Sequence, residues 1–170
     1  MIGMIEGIQI KPLKEIPDER GVFMELLRKD WKDLLEEHEI IQANLSVSYP
    51  GIIRGWHRHL RGQIDYFLVL KGALKICAYD EDSGELDEVI STEYNHQIVK
   101  IPGIYWHGFK VINDKPAWLL YFVNKLYDYE KPDEIHRSWN DPTIVPKSIN
   151  GKTNDPRVGK PWDWFLPPHK

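Results

Sequence analysis

Tyr66-Phe-Leu-Val-Leu-Lys-Gly-Ala-Leu-Lys-Ile-Cys-Ala-Tyr79 is the stretch on which the fold of this chain turns. The continuous apolar run 66–70, closed by Lys71-Gly72, reads as a buried strand and its turn. Ala73 to Tyr79 then alternates, as a strand with one face in a core does. Asp80-Glu-Asp-Ser-Gly84 is a polar hairpin turn leading into a further strand, Asp87 to Ser91. Upstream, Ile40 to Val47 alternates in the same way. Downstream, Gln97 to Ile101 stops at Pro102-Gly103 and His107 to Ile112 stops at Asn113-Asp114; Ala117 to Asn124 is a last apolar strand. Short strands at this spacing, with little helix between them, predict an all-β sandwich or jelly roll.

One helix is expected, from Met24 to Glu39, with Leu27, Trp31, Leu34 and Leu35 on a single face; it is short and peripheral. Past Tyr129, Pro132, Pro142, Pro146, Pro156, Pro161, Pro167 and Pro168 break up regular structure. The tail, about 130–170, is expected to extend over the barrel, because Trp139, Trp162, Trp164 and Phe165 need burial. A disordered tail is poorer in aromatics. The 170 residues suit one core, so a single domain over 1–170 is expected.

Composition narrows the functional classes. Hydrophobic residues make up 42% and charged residues 28%, the balance of an ordinary globular protein. The net charge is −4 with no basic block, which argues against a nucleic-acid partner. Cys77 is the only cysteine, so there is no internal disulfide, and its place in an alternating strand marks it as a packed core thiol. The start, Met1-Ile-Gly-Met-Ile-Glu-Gly-Ile, lacks the core of a signal peptide, and no run approaches the ~20 residues of a membrane span. A cytoplasmic protein without membrane contact is the expectation. Seven tryptophans and eight tyrosines are either core and interface packing or a pocket that stacks sugars or a base.

The chemistry-bearing segment lies just before the first strand quoted: Gly51-Ile-Ile-Arg-Gly-Trp-His-Arg-His-Leu-Arg-Gly-Gln63. Imidazoles entering an apolar interior either bind a metal or move a proton near neutral pH. For a metal, His57-x-His59 puts two rings on one side of an extended backbone, and His107 follows a later turn. Metal-binding cupins add a carboxylate after the His-x-His; Gln63 stands there and lacks the charge. For proton transfer, His57 as base needs a partner to fix its tautomer, such as Asp155 from the tail, and an acid on the opposite face, such as Tyr121. Tyr121 reads equally well as a core residue with its hydroxyl satisfied.

Six motifs in order then resemble the dTDP-4-dehydrorhamnose 3,5-epimerase family, a jelly-roll cupin family, over nearly the whole length. Asp18-Glu-Arg-Gly-Val-Phe-Met-Glu25 is similar to its Asp-x-Arg-Gly-x-Phe-x-Glu, and Gln42-Ala-Asn-Leu-Ser46 to its Gln-Asp-Asn-x-Ser. Ile53-Arg-Gly-Trp-His57 resembles Leu-Arg-Gly-Leu-His, and Ile101-Pro-Gly-Ile-Tyr-Trp-His-Gly-Phe109 resembles Pro-x-Gly-x-x-His-Gly-Phe. Trp139-Asn-Asp-Pro142 and Lys152-Thr-Asn-Asp155 complete the series.

The resemblance implies a cupin-type jelly roll (double-stranded β-helix) and a sugar epimerase that needs neither metal nor other cofactor. By the same resemblance, His57 takes the proton beside a 4-keto group, Asp155 supports it and Tyr121 returns a proton. Arg20, Arg54 and Lys152 would hold the diphosphate of a nucleotide sugar, with dTDP as nucleotide, while Gln42, Asn44 and His107 line the sugar pocket. The family is a homodimer with exchanged N-terminal strands, which would carry Arg20 and Phe23 to the neighbour's pocket.

One departure is plain. The family's Gln-x-Lys, whose lysine steadies the enolate oxyanion, is Gln63-Ile-Asp65 here. An acid in that place opposes the enolate unless it is protonated, paired or turned away. His59, Arg58 and Arg61, in a shortened loop, are the candidates to replace the lost charge or to pair with Asp65. The sequence thus predicts an isomerase of a nucleotide-linked 4-keto-6-deoxyhexose. Two alternatives stay open: a metal-dependent cupin using His57, His59 and His107, and a non-catalytic binder of sugar nucleotides.

Overall fold

The structure, a computed structural model, describes residues 5–168; the expected domain and the Met1 segment extend beyond these at the ends. In chain order the elements are β1 (Gln9–Pro12), β2 (Ile16–Asp18), β3 (Gly21–Phe23), α1 (Lys32–Leu35), β4 (Gln42–Ser48), β5 (Ile53–Arg58) and β6 (Ile64–Lys71). There follow β7 (Ala73–Tyr79), β8 (Glu85–Thr92), β9 (Gln97–Pro102), β10 (Trp106–Val111), β11 (Ala117–Val123), β12 (Ile135–His136) and β13 (Ser148–Ile149).

Two sheets face each other as a jelly roll. One has the order β1-β9-β6-β11-β4, the other β12-β5-β10-β7-β8-β13, and β2-β3 forms a separate hairpin. Alternation along each strand sends one set of side chains between the sheets. Phe67 and Val69 of β6, Leu74, Ile76 and Ala78 of β7, Val99 and Ile101 of β9, Phe109 of β10 and Leu119 of β11 form this central core. The opposite face of the first sheet carries Tyr66, Leu68 and Ile98, covered by Leu34 and Leu35. The opposite face of the second carries Cys77, Tyr79 and Leu86, covered by Ile144, Ile149, Trp162 and Trp164 of the tail. Among the described residues, no helix is long and apolar enough to cross a membrane.

The strands read from the alternating stretches are all present, within two residues at their ends. The helix differs. Only Lys32–Leu35 is helical, not 24–39. Trp31 offers no side-chain cap, Glu36 ends the turn at φ +54°, and Arg28 is bound to Glu25 and Asp30 instead of continuing a helix. The apolar face assigned to it is nonetheless real: Leu27, Trp31, Leu34 and Leu35 all pack on the sheet. In the tail, Trp162 and Trp164 are buried, whereas Trp139 and Phe165 are substantially exposed, a correction to their expected burial. Trp139 still contributes through its backbone, its carbonyl accepting the Trp164 indole N–H at 2.9 Å.

Candidate active site

A cavity of about 630 Å³ opens between the sheets, in the size range of small-molecule sites. Its walls come from both. The first sheet supplies Gln42 and Asn44 from β4, Asp65 and Phe67 from β6, and Tyr121 from β11; the second supplies Arg54 and His57 from β5. The loop after β5 contributes His59, Arg61 and Gln63, and the segment after β11 contributes Lys125, Tyr127, Asp133, Glu134 and His136.

Local geometry explains why the histidines converge. His57 on β5 lies opposite His107 on β10, and the register of the pair slips before Phe109. The strands approach very closely there: a Cβ on Gly108 would sit 2.6 Å from the Arg54 carbonyl oxygen and 2.6 Å from the Gly55 Cα. Only glycine permits that contact, so the motif glycines at 55 and 108 bring His57 and His107 together, ring centroids 4.2 Å apart. Gly103 plays the same part for the loop. A Cβ there would meet the Gln63 carbonyl and come within 3.0 Å of the His59 side chain. Its own backbone receives the His59 N–H at 2.7 Å and donates to Gln63 O at 2.8 Å.

The polar heart is Asp65 with three imidazoles. Asp65 Oδ2 is 2.8 Å from His107 Nε2 and 3.3 Å from His59 Nε2, and the Gln63 amide donates to Asp65 Oδ1 at 2.8 Å. Asp65, His59 and His107 are almost wholly buried. Burial alone would raise the Asp65 carboxyl, but the bonds to His107 and His59 override it and hold the acid well below the carboxylate range. Asp65 is therefore paired with imidazoles, not protonated and not turned away. For His59, burial opposes the charged ring, and the Asp65 bond outweighs it, raising the imidazole above its usual value. His57 goes the other way: desolvation, then the neighbouring His107, push it well below. This keeps the His57 ring neutral, as a base must be. Ligand atoms of His57, His59, Asp65 and His107 all lie within 4.8 Å of one another, so the carboxylate that Gln63 lacks is present at Asp65.

The arginines do not pair with Asp65. Arg61 bonds the Lys131 carbonyl and lies near Asp128 and Asp133, and Arg58 stacks 4.8 Å over the Trp106 ring. Tyr121 lies opposite Asn44 in the β11–β4 register and edge-on to Phe67, 5.8 Å between centroids. Burial, then the Asp65 charge, raise its phenol above the ordinary value. Arg54 is braced by Ser48 Oγ at 3.0 Å, and the Gln42 side-chain Oε1 accepts the Tyr127 backbone N–H at 2.9 Å. Of the two late tyrosines, Tyr127 lines the cavity; Tyr129 is exposed.

Asp155 is not brought to His57. Its carboxylate accepts the Arg157 backbone N–H at 2.9 Å and the guanidinium at 3.0 and 2.9 Å, and Arg157 also binds Glu88 at 3.0 Å through both terminal nitrogens. Glu88 stands opposite Cys77 on the tail-covered face of the second sheet, whereas His107 stands opposite Ala78 on the cavity face. A sheet separates the two, which corrects the expectation that Asp155 supports the base. Lys152 is likewise an exposed residue of the turn after β13 and does not line the cavity. Arg20 and Phe23 sit exposed on the β2–β3 hairpin, Arg20 bound to Asp18, and do not reach the cavity of their own chain.

Sequence reasoning passed over His136 and Asp133. β12 pairs His136 with His57, and the Asp133 carbonyl meets His59 Nδ1 at 2.6 Å. The segment 133–136, polar and with a single apolar residue, carried no strand signal; only its His and acid content marked it.

Known proteins are similar to this chain in sequence and in fold. The family model described as dTDP-4-dehydrorhamnose 3,5-epimerase matches residues 3–158. The chain is 44% identical over 135 residues to the probable low-salt glycan biosynthesis epimerase Agl13 of Haloferax volcanii, covering 76% of this chain and 85% of that one. It is 38% identical over 146 residues to the spore coat polysaccharide biosynthesis protein SpsL of Bacillus subtilis, covering 83% and 94%. Among solved structures it resembles the dTDP-6-deoxy-D-glucose-3,5-epimerase RmlC of Legionella pneumophila in complex with dTDP-4-keto-L-rhamnose, with TM-score 0.75 at 25% identity over 98% of this chain and 83% of that one. The cavity between the sheets, its paired histidines and these matches lead to one statement: the chain belongs to the dTDP-4-dehydrorhamnose 3,5-epimerase family and is an enzyme of the sugar-nucleotide epimerase type.

Proposed function

We propose that this enzyme epimerises or isomerises a nucleotide-linked 4-keto-6-deoxyhexose, with dTDP as the nucleotide, through an enolate. The observation that carries the reading is the placement of His57 and Tyr121 on facing sheets of one cavity. His57, kept neutral by burial and by His107, accepts the proton from the carbon beside the ketone. The C–H electron pair moves into the enolate and the charge comes to rest on the keto oxygen. Tyr121, kept protonated by burial, donates a proton to the other face of that carbon, and the ketone re-forms. The balance is one proton out and one proton in, with inversion at the carbon. Protonation of the former keto carbon instead, with the proton of the adjacent hydroxyl passing to the former keto oxygen, is ketoisomerisation.

Arg54 at the rim suits a diphosphate, and Gln42 and Asn44 suit sugar hydroxyls. The exposed Phe23 and Arg20 fit a homodimer in which each β2–β3 hairpin closes the neighbour's cavity. The exposed apolar faces of Leu45, Val47 and Trp118 on β4 and β11 supply area for the same contact. A lone buried thiol, Cys77, suits a reducing compartment such as the cytoplasm.

The test is deuterium uptake at the carbons flanking the ketone, in deuterated water, with a panel of 4-keto nucleotide sugars. Wild type should exchange, while His57→Ala and Tyr121→Phe should lose exchange by ~100-fold or more. Undiminished exchange in His57→Ala would remove the assignment.

A further inference from the structure

We propose that His136 holds the 2-hydroxyl of the sugar, so that the enzyme takes 2-hydroxy in preference to 2-deoxy nucleotide sugars. The inference deepens the enolisation reading above and rests on it for the placing of the sugar ring.

Backbone pairing fixes where His136 stands. The Trp56 N–H donates to the Arg137 carbonyl at 3.1 Å and the Arg137 N–H to the Trp56 carbonyl at 2.8 Å, and His136 lies directly opposite His57 in the register. Opposed residues of an antiparallel pair project to the same face. Both rings accordingly line the cavity, their centroids 6.2 Å apart. β12 is the edge strand of its sheet, and the His136 side chain is 69% exposed.

That edge is the open flank of His57. On the other flank the buried His107 ring stands 4.2 Å away and fills the space. A sugar carbon that gives its proton to His57 therefore has its ring neighbours towards His136. The hydroxyl on the inverted carbon changes side during the reaction, so one fixed side chain does not hold it in both substrate and product. The hydroxyl on the next carbon keeps its place. With the ketone at carbon 4 and proton loss at carbon 3, that group is the 2-hydroxyl.

His136 is equipped for such a partner. Its Nε2 faces Glu134 Oε2 at 3.5 Å, and Glu134 lines the same cavity. A carboxylate only accepts, so Nε2 carries the ring proton and Nδ1 presents a lone pair to a hydroxyl donor. Among the described residues, His136 has no second hydrogen-bonding side chain to compete for it. A polar group aimed at a substrate hydroxyl discriminates against the analogue that lacks it more sharply than an apolar pocket does against an added one.

Calorimetry on the full chain with two unreactive probes, dTDP-glucose and dTDP-2-deoxyglucose, tests the contact apart from the chemistry. Wild type should bind the 2-hydroxy sugar ~10-fold more tightly or better. His136→Ala should bring the ratio to about one, and His136→Gln, whose amide still donates and accepts, should recover part of it. A wild-type ratio of one, a ratio that survives in His136→Ala, or binding of neither sugar by the folded chain overturns the proposal. Deuterium exchange keeps the two readings apart. A ratio that depends on His136, with no exchange in any 4-keto sugar, removes the enolisation reading and leaves the contact. Equal kcat/KM for exchange in 4-keto sugars with and without the 2-hydroxyl removes the contact and leaves the enolisation reading standing.

Discussion

Asp65 Oδ2 and His107 Nε2, 2.8 Å apart, belong to facing sheets, so the two layers of the sandwich are tied at the cavity floor by a charged contact. Restoring the lysine of the related epimerases at this place should therefore do harm. Asp65→Lys replaces the carboxylate by a cation among His57, His59 and His107 in a buried site, at an expected cost of about 3 kcal/mol or more. Urea unfolding followed by tryptophan fluorescence would read it. A variant as stable as wild type and faster in exchange would show that the tie is dispensable.

Asp155 and Arg157 make the opposite case, a motif residue with a structural task. Glu88 and Asp155 share one buried guanidinium. Arg157→Met leaves two buried carboxylates without it, and a loss of about 3–5 kcal/mol is expected. Asp155→Asn should lower Tm yet leave the exchange rate per folded molecule within about two-fold of wild type, since its bonds to Arg157 lie on the tail-covered face of the second sheet. A fall of ~100-fold at unchanged Tm would return Asp155 to the catalytic set.

The pH profile should be limited late on the alkaline side. A proton donor works only while protonated, and burial, followed by the Asp65 charge, raises Tyr121 above its ordinary 10.0. Exchange should hold through pH 10 and decline only beyond it. A decline centred well below pH 10 would assign the acid to another group.

Association should depend on the outer face of β4. Leu45 and Val47 are 54% and 42% exposed, and Trp118, opposite Val47 in register, is 40% exposed. Leu45→Asp with Val47→Lys should yield a monomer by light scattering, with exchange reduced because the hairpin bearing Arg20 and Phe23 no longer has a neighbour to serve. A monomeric wild type would end the homodimer proposal.

How much of this was legible beforehand follows from the kind of signal each part leaves. Ala73–Tyr79 and Ala117–Val123 announce themselves because alternation records which face is buried. The segment 24–39 showed its apolar face correctly and its helix wrongly: a stripe of Leu27, Trp31, Leu34 and Leu35 needs only to reach a sheet, and an extended chain with one turn does that too. His57 and His107 were found by motif. The carboxylate for the cluster was sought at Gln63 and Asp155, while the structure supplies it from Asp65, bonded to His107 and His59, two residues past Gln63 and on the inward side of β6. That depends on which face each β6 residue takes, and the fully apolar run 66–70 hides the alternation. The Asp133 carbonyl that orients His59 is backbone, and backbone leaves no mark in a sequence.

Placing His57 on one sheet and Tyr121 on the other has a consequence for stereochemistry. Under the proposed mechanism, the gap between proton acceptor and proton donor is the spacing of the two sheets less the reach of the side chains that project inward from each. That spacing is set by Phe67, Phe109 and Leu119, none of which carries a charge. The side of the sugar ring that each group reaches is thus a property of core packing. Repacking those three side chains, with every polar group untouched, is a route to changing which carbon is inverted.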